Sequence, residues 1–285
     1  MTMRSMISKY RPDKHMFPTG SYAYMISGSG LGASLDPFLQ IDHFRMAHAT
    51  FPPHPHAGMS AVTYMFDDAE TGFVNRDSLG DRTPIRPGDL HWTQAGAGMM
   101  HEEVPIEPGR WAHGFQIFVN LAARHKEAPP RALHLDHERM PVVVLEGGGS
   151  LKIAVGRFED HASPITDELL TPVNLFELRL PARARAVLSL GPDDLNVFAT
   201  VLKGSASTGN ASLSTGESGH FGRVGPSRIE LHAGDQGLWA MLMSGVPLDE
   251  PVFPKGPFVG NTSTDITRYI RRFQEGGMGS LAQSF

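Results

Sequence analysis

Apolar runs of four to six residues, each closed off by nearby glycine or proline, recur along the whole of this chain. Residues 61–66, 115–119, 142–145, 186–190 and 197–202 are rich in β-branched and aromatic side chains and too short for ordinary helices. With 31 glycines and 22 prolines in 285 residues, turns come often enough to space such strands as in an all-β sandwich or barrel. A hydrophobic fraction of 40% supports a proper core, and the length suits two ordinary domains or one large β-rich one.

Two segments repeat each other loosely. Arg86-Pro87-Gly88-Asp89-Leu90-His91-Trp92 and His232-Ala233-Gly234-Asp235-Gln236-Gly237-Leu238-Trp239 each place a Gly-Asp turn before a tryptophan-bearing strand. The chain therefore reads as a tandem of two related β domains, residues 1–125 and 126–285, with the polar, proline-containing stretch 123–131 as the joint. Near the C-terminus the apolar period changes from two to that of a helix. Ile266, Tyr269, Ile270 and Phe273 share one face, Thr262 or Ser263 can cap the start, and Gly276-Gly277 ends the run, which predicts a closing helix over about 263–275 packed on its own sheet.

The charge balance narrows the partners. There are 25 basic and 30 acidic residues, a formal charge of -5 without long runs, so the chain offers no electrostatic footprint for direct nucleic-acid binding or for an anionic membrane. No stretch reaches transmembrane length, and residues 1–18 carry Arg4, Lys9, Arg11 and Lys14 without the apolar run of a signal peptide, so the expected location is the cytoplasm. There is no cysteine, so disulfides and thiolate ligands are excluded, and any metal must use histidine and carboxylate.

The chemistry is concentrated in two doublets, His54-Pro55-His56 and His101-Glu102-Glu103. Side chains alternate faces along a strand, so His54 and His56 point the same way, and so do His101 and Glu103. Brought together on neighbouring strands they would present three imidazoles and a carboxylate to one point, a donor set that suits iron, nickel, copper, zinc or manganese better than calcium or magnesium. Spacing alone leaves open a turn with surface imidazoles and a solvated charge cluster. Gly96-Ala97-Gly98 before the second doublet and Gly58 after the first permit close backbone approach, which favours the converging arrangement.

Other chemistry-bearing residues read more plainly. Gln116 and His113 lie on a strand that can pass beside or behind the site, Met99 and Met100 read as pocket wall or core, and His134 and His137, three apart, as solvent-exposed. Asp77, Asp81 and Asp89 read as turn formers. The chain has no nucleophile elbow, phosphate-binding loop or dinucleotide fingerprint.

His-x-His followed later by Gly98-Met99-Met100-His101 resembles the cupin pattern, although Ser60 and Ala61 stand where the usual cupin glutamate would follow; Glu103 can replace it. With that substitution the chain resembles the pirins. The resemblance is carried by Leu35-Asp36-Pro37-Phe38-Leu39, Phe51-Pro52-Pro53-His54-Pro55-His56-Ala57-Gly58, Arg76-Asp77-Ser78-Leu79-Gly80, Pro87-Gly88-Asp89-Leu90-His91-Trp92, Gln116-Ile117-Phe118-Val119-Asn120-Leu121 and Gly256-Pro257-Phe258-Val259-Gly260-Asn261-Thr262. It is tight in the first half and looser between about Arg131 and Val252. Ala57, Met59, Asn75 and His91 depart from the family pattern, which puts pocket shape and substrate preference in question.

The resemblance implies an all-β fold of two tandem cupin (jelly-roll β-barrel) domains with a short C-terminal helix, and one metal in the first domain held at His54, His56, His101 and Glu103. Fe(II) is the first choice, with nickel, cobalt, manganese, copper or zinc as alternatives; the second domain is expected to be metal-free. It implies a quercetin 2,3-dioxygenase type of ring cleavage, with a small aromatic substrate and dioxygen as partners and Glu103 as ligand and base. Phe51, Met59, Val62, Met99 and Phe115 are the expected apolar pocket neighbours. The alternative is an iron-binding, redox-sensitive regulator acting through a protein partner, and a third reading is a purely structural metal. By analogy with other two-cupin chains, the protein is expected to be a monomer.

Overall fold

A computed structural model of the chain describes residues 3–191, 195–209, 211–223 and 228–284; Met1 and Phe285, the outer limits of the two expected domains, lie outside them. Its regular structure is almost entirely antiparallel β, with one helix of three turns near the C-terminus. No helix among the described residues is long and apolar enough to cross a membrane. The chain divides into two compact units, residues 1–13, 26–37 and 138–247 in one, and 14–25, 38–137 and 248–285 in the other.

The unit that carries both doublets contains a seven-stranded sheet and a four-stranded sheet. The larger sheet runs in the order Arg131–Leu135, Leu90–Gln94, Met59–Met65, Ala112–Asn120, Phe38–Met46, Tyr22–Ile26, Lys14–Met16. The smaller runs His54–His56, Met99–Pro105, Phe73–Asp77, Pro84–Ile85. Register fixes what each face presents. Gln116 pairs with both Thr63 and Asp42, and Thr63 in turn with His91, so one polar row crosses the larger sheet on a single face. Phe115 and Val62, out of phase by one residue, point to the opposite face and are fully buried there.

The other unit is built on a nine-stranded sheet whose centre is the long strand Arg228–Gly245, paired with Asn196–Thr208 on one side and Val173–Leu180 on the other. Its core is mostly aliphatic with a few phenylalanines, and Leu151, Ile153, Phe176, Leu188 and Leu242 are essentially inaccessible. The second Gly-Asp segment is not a turn, as its sequence suggests. It lies within Arg228–Gly245, where the pairing with Asn196–Thr208 jumps from Ala233 opposite Ala206 to Leu238 opposite Gly204, and Gly237 takes φ +77° to absorb the extra residues as a bulge.

After a short 3-10 turn, Ala123–His125, the strand Arg131–Leu135 pairs with Leu90–Gln94, and the doublet-bearing compact unit runs on to His137. The closing helix, Ser263–Gln274, forms as expected and falls in that same compact unit. Thr262 caps it, accepting from the Asp265 backbone N–H while the Asp265 carboxylate accepts from that of Thr262. Ile266 and Tyr269 bury one face against Phe258, Ala57 and Met278, so residue 57, next to His56, is packed by chain some two hundred residues later.

Candidate metal centre

Strand pairing brings the doublets together. His54–His56 lies antiparallel to Met99–Pro105 with His54 opposite His101 and His56 opposite Met99. The centre of the His54 ring is 4.8 Å from that of His56 and 4.7 Å from that of His101, and those of His56 and His101 are 4.9 Å apart. One donor atom from each of the three lies within 4.8 Å of the others.

The backbone around the first doublet is locked in place. Gly58 takes φ +74° and its N–H donates to the Gly96 carbonyl at 2.7 Å; a β-carbon there would stand 1.9 Å from the Val259 carbonyl oxygen. The Gly58 carbonyl accepts from the buried Lys126 ammonium at 2.8 Å, which also donates to Asn120 Oδ1 at 2.7 Å. Burial pulls the Lys126 pKa down to about 8. The Val259 N–H donates to the Ala57 carbonyl at 3.0 Å, so the segment leading into the closing helix holds the residue after His56.

The three imidazoles are held as neutral donors. Burial lowers the pKa of all three, that of His56 to about 3 and that of His101 well below the usual histidine range, with neighbouring rings adding to the effect at His56 and His101; at His54 the Pro52 carbonyl and Glu102 oppose it. The His54 Nδ1 lies 2.9 Å from the Pro52 carbonyl oxygen, which fixes its proton on Nδ1 and leaves Nε2 as the free lone pair. His56 Nδ1 and both ring nitrogens of His101 are buried without a hydrogen-bond partner. Such atoms cost about 1–3 kcal/mol each if left unsatisfied. A divalent ion that takes one nitrogen from each neutral imidazole meets most of that need, so the donor set fits a metal.

Glu103 is close by but arranged differently. Its carboxylate is not within the 4.8 Å group formed by the three histidines. It lines the same pocket and accepts from the Thr63 hydroxyl, at 2.7 Å to Oε1 and 2.9 Å to Oε2. Burial drives its pKa up to about 7, with the Thr63 bond opposing the rise. Alternation sends Glu102 the other way, into a buried pair with Arg76.

The pocket in front of these groups has a volume of about 150 Å³. That is the scale of a single aromatic ring. Its apolar wall is Phe17, Ala23, Phe44, Met46, Phe51, Phe73 and Phe118, and its polar groups are the four site residues with Gln116 and Asp42. Asp42 accepts from the Gln40 amide at 2.9 and 2.8 Å, and burial raises its pKa to about 6. Of the five expected apolar neighbours only Phe51 is in this wall. Phe115 and Val62 sit on the wrong face by parity, and Met59 and Met99 are buried elsewhere in the core. Phe44 and Phe118 take their face from the register of Asp42 with Gln116, and Phe73 from its pairing with Pro105 on the smaller sheet, so none of the three could be placed without the strand pairing.

Gln116 reaches the site, 3.0 Å from Thr63 Oγ1, with its amide donating to the Val62 carbonyl. His113 does not; its Nε2 faces that of His43 at 2.8 Å and its Nδ1 lies 2.6 Å from Asp68 Oδ1. Ala57, Met59, Asn75 and His91 are all buried, and none is in the pocket wall.

The Pirin family profile matches residues 19–119, and that of the Pirin C-terminal cupin domain matches residues 175–279. The chain belongs to the pirin family. It is 32% identical to a pirin-like protein of Solanum lycopersicum over 249 residues, which cover 86% of this chain and 83% of that one. A pirin-like protein of Caulobacter vibrioides is also 32% identical, over 85% of this chain and 87% of its own. Among solved structures, a quercetin 2,3-dioxygenase from Acinetobacter baumannii superposes with a TM-score of 0.86 at 26% identity, over 99% of this chain and all of that one. This pirin thus has the two-cupin, all-β architecture with a C-terminal helix that its sequence suggests.

Proposed function

We propose that this pirin is a metal-dependent dioxygenase that opens the ring of a flavonol or a similar aromatic enol, in the manner of a quercetin 2,3-dioxygenase. The observation that carries the reading is the convergence of three neutral imidazoles, two of them buried, at the head of a pocket walled by aromatic rings. His54, His56 and His101 would hold a divalent ion, with Glu103 as the fourth ligand; iron is the first choice. Such an ion, when bound, supplies Lewis acidity toward a substrate oxygen and, for iron, one-electron chemistry toward dioxygen.

The chain's own residues do the rest. Phe44, Phe51, Phe73 and Phe118 offer flat apolar surface that orients an aromatic ring and excludes water. A space of about 150 Å³ accommodates the ring that bears the reacting hydroxyl, so the remainder of a flavonol extends toward the mouth. Glu103, whose pKa burial raises to about 7 in the metal-free protein, takes the hydroxyl proton on a carboxylate oxygen, and Thr63 holds that carboxylate in place. Asp42, across the same pocket, accepts a second hydroxyl of the substrate. The protein acts as a monomer in the cytoplasm in this reading.

The test is direct. Metal-stripped protein reloaded with ferrous iron and given quercetin bleaches the flavonol absorbance, takes up dioxygen and releases carbon monoxide in equal amounts. Absence of turnover with iron, nickel, cobalt, manganese and copper alike ends the enzyme reading. Capture of a protein partner whose affinity follows the iron oxidation state would put the regulatory role in its place.

A further inference from the structure

The larger sheet of the same unit carries a second pair of two-residue-spaced doublets, at the edge formed by the strand Arg131–Leu135. Asp89-Leu90-His91 enters the strand Leu90–Gln94, and His134-Leu135-Asp136 leaves the edge strand Arg131–Leu135. His91 pairs with His134 and Leu90 with Leu135, so by strand parity Asp89, His91, His134 and Asp136 share one face. His134, expected from sequence to be exposed, has both ring nitrogens buried without a hydrogen-bond partner. Asp89, expected to be only a turn former, is 1% exposed.

We propose that Asp89, His134 and Asp136 form a second metal site, for a divalent first-row transition ion such as zinc. His134 Nε2 lies 3.7 Å from Asp89 Oδ2 and 3.6 Å from Asp136 Oδ1, and all three donors fall within 4.8 Å of one another. Those separations are too long for hydrogen bonds. They suit two ligands of one ion, which at about 2.0–2.2 Å from the metal stand roughly 3.4–3.6 Å apart in tetrahedral or trigonal geometry.

The first carboxylate is already oriented, as a ligand carboxylate needs to be. Its Oδ1 accepts from the His137 backbone N–H at 2.8 Å and lies 3.0 Å from His137 Nδ1, and its Oδ2 accepts from the Arg86 N–H at 2.9 Å. Two carboxylates offset the charge of a divalent ion, and the neutral imidazole completes a nitrogen and oxygen donor set of the zinc type. Beside them is His91, 1% exposed, its ring centre 5.8 Å from that of His134 and neither of its nitrogens partnered. A hydrated ion at the cluster brings hydrogen-bond donors within its reach. An ion here would also tie the edge strand to its neighbour.

The proposal is independent of the enzyme reading, and zinc titration of the metal-stripped full chain separates the two sites. Wild type takes up two equivalents. Asp136→Asn, a near-isosteric change at a half-exposed position, takes up one, as does His134→Gln, with circular dichroism unchanged. A His54→Ala/His56→Ala double variant retains the equivalent that Asp136→Asn loses. In wild-type crystals soaked in zinc, one of two anomalous peaks falls among these three side chains. Uptake of only one equivalent by wild type, retention of two by Asp136→Asn, or no anomalous density at the cluster overturns the proposal.

Discussion

Replacing Thr63 by valine tests how the pocket sets the proton affinity of Glu103. Thr63 is 1% exposed, and its hydroxyl is 2.7 and 2.9 Å from the two carboxylate oxygens. A hydrogen bond to a charged group is worth about 1.5–3 kcal/mol, and a pKa unit corresponds to about 1.4 kcal/mol. The hydroxyl stabilises the anion, so its loss raises the Glu103 pKa by about one to two units, from about 7 in the metal-free protein. If Glu103 must be ionised to receive a substrate proton, the acid limb of kcat/KM for quercetin cleavage moves up by the same amount. For a carboxyl titrating near 7, the rate at pH 7 falls by about 5- to 50-fold and recovers as the pH rises past the new pKa. The assay is the pH profile of flavonol bleaching by ferrous-loaded wild type and T63V, with thermal unfolding as a control for the fold. An acid limb that stays in place while the rate falls uniformly with pH would refute the reasoning, because Thr63 would then be acting on packing alone.

Glu103 also gives metal-free protein a defined pH dependence. Its folded pKa lies above that of an unfolded glutamate, so stability falls as pH rises from about 4.5 through about 7, by roughly 3 kcal/mol, and urea unfolding of E103Q shows that much less decline over the same range. Gly58→Ala forces a β-carbon against the Val259 carbonyl at a positive φ, and is expected to lower the urea midpoint sharply and cut metal affinity at least 10-fold by displacing His56. Lys126→Met leaves the Gly58 carbonyl and Asn120 Oδ1 without that donor and costs about 2–4 kcal/mol in chemical unfolding. Thr262→Ala removes the helix cap and costs about 1 kcal/mol, with little effect on metal uptake.

The histidine convergence was legible because period-two spacing on a strand fixes the face whatever the partner strand is. His54, His56 and His101 needed only adjacency, and glycines on either side allowed it. The pocket wall was not legible in that way. Phe115 and Phe118 are equally apolar, and only the pairing of Gln116 with Thr63 and Asp42 decides that Phe118 faces the site and Phe115 does not. Asp89 shows a related ambiguity: Gly-Asp before a strand is a turn signal, and the carboxylate does cap that turn through Arg86, yet the strand beside it also places His134 within reach. The helix pattern was readable to within a residue, but its docking against Ala57 depends on a contact distant in sequence, which no local period encodes.

The central claim is that three imidazoles and a carboxylate share one ion in the doublet-bearing unit. Iron-edge X-ray absorption on protein loaded with one equivalent of ferrous iron counts the imidazoles bound to it. Three are expected in wild type, two in His101→Ala, and no ordered iron in His54→Ala/His56→Ala. Fewer than three in wild type, or an unchanged spectrum in the double variant, would contradict the account.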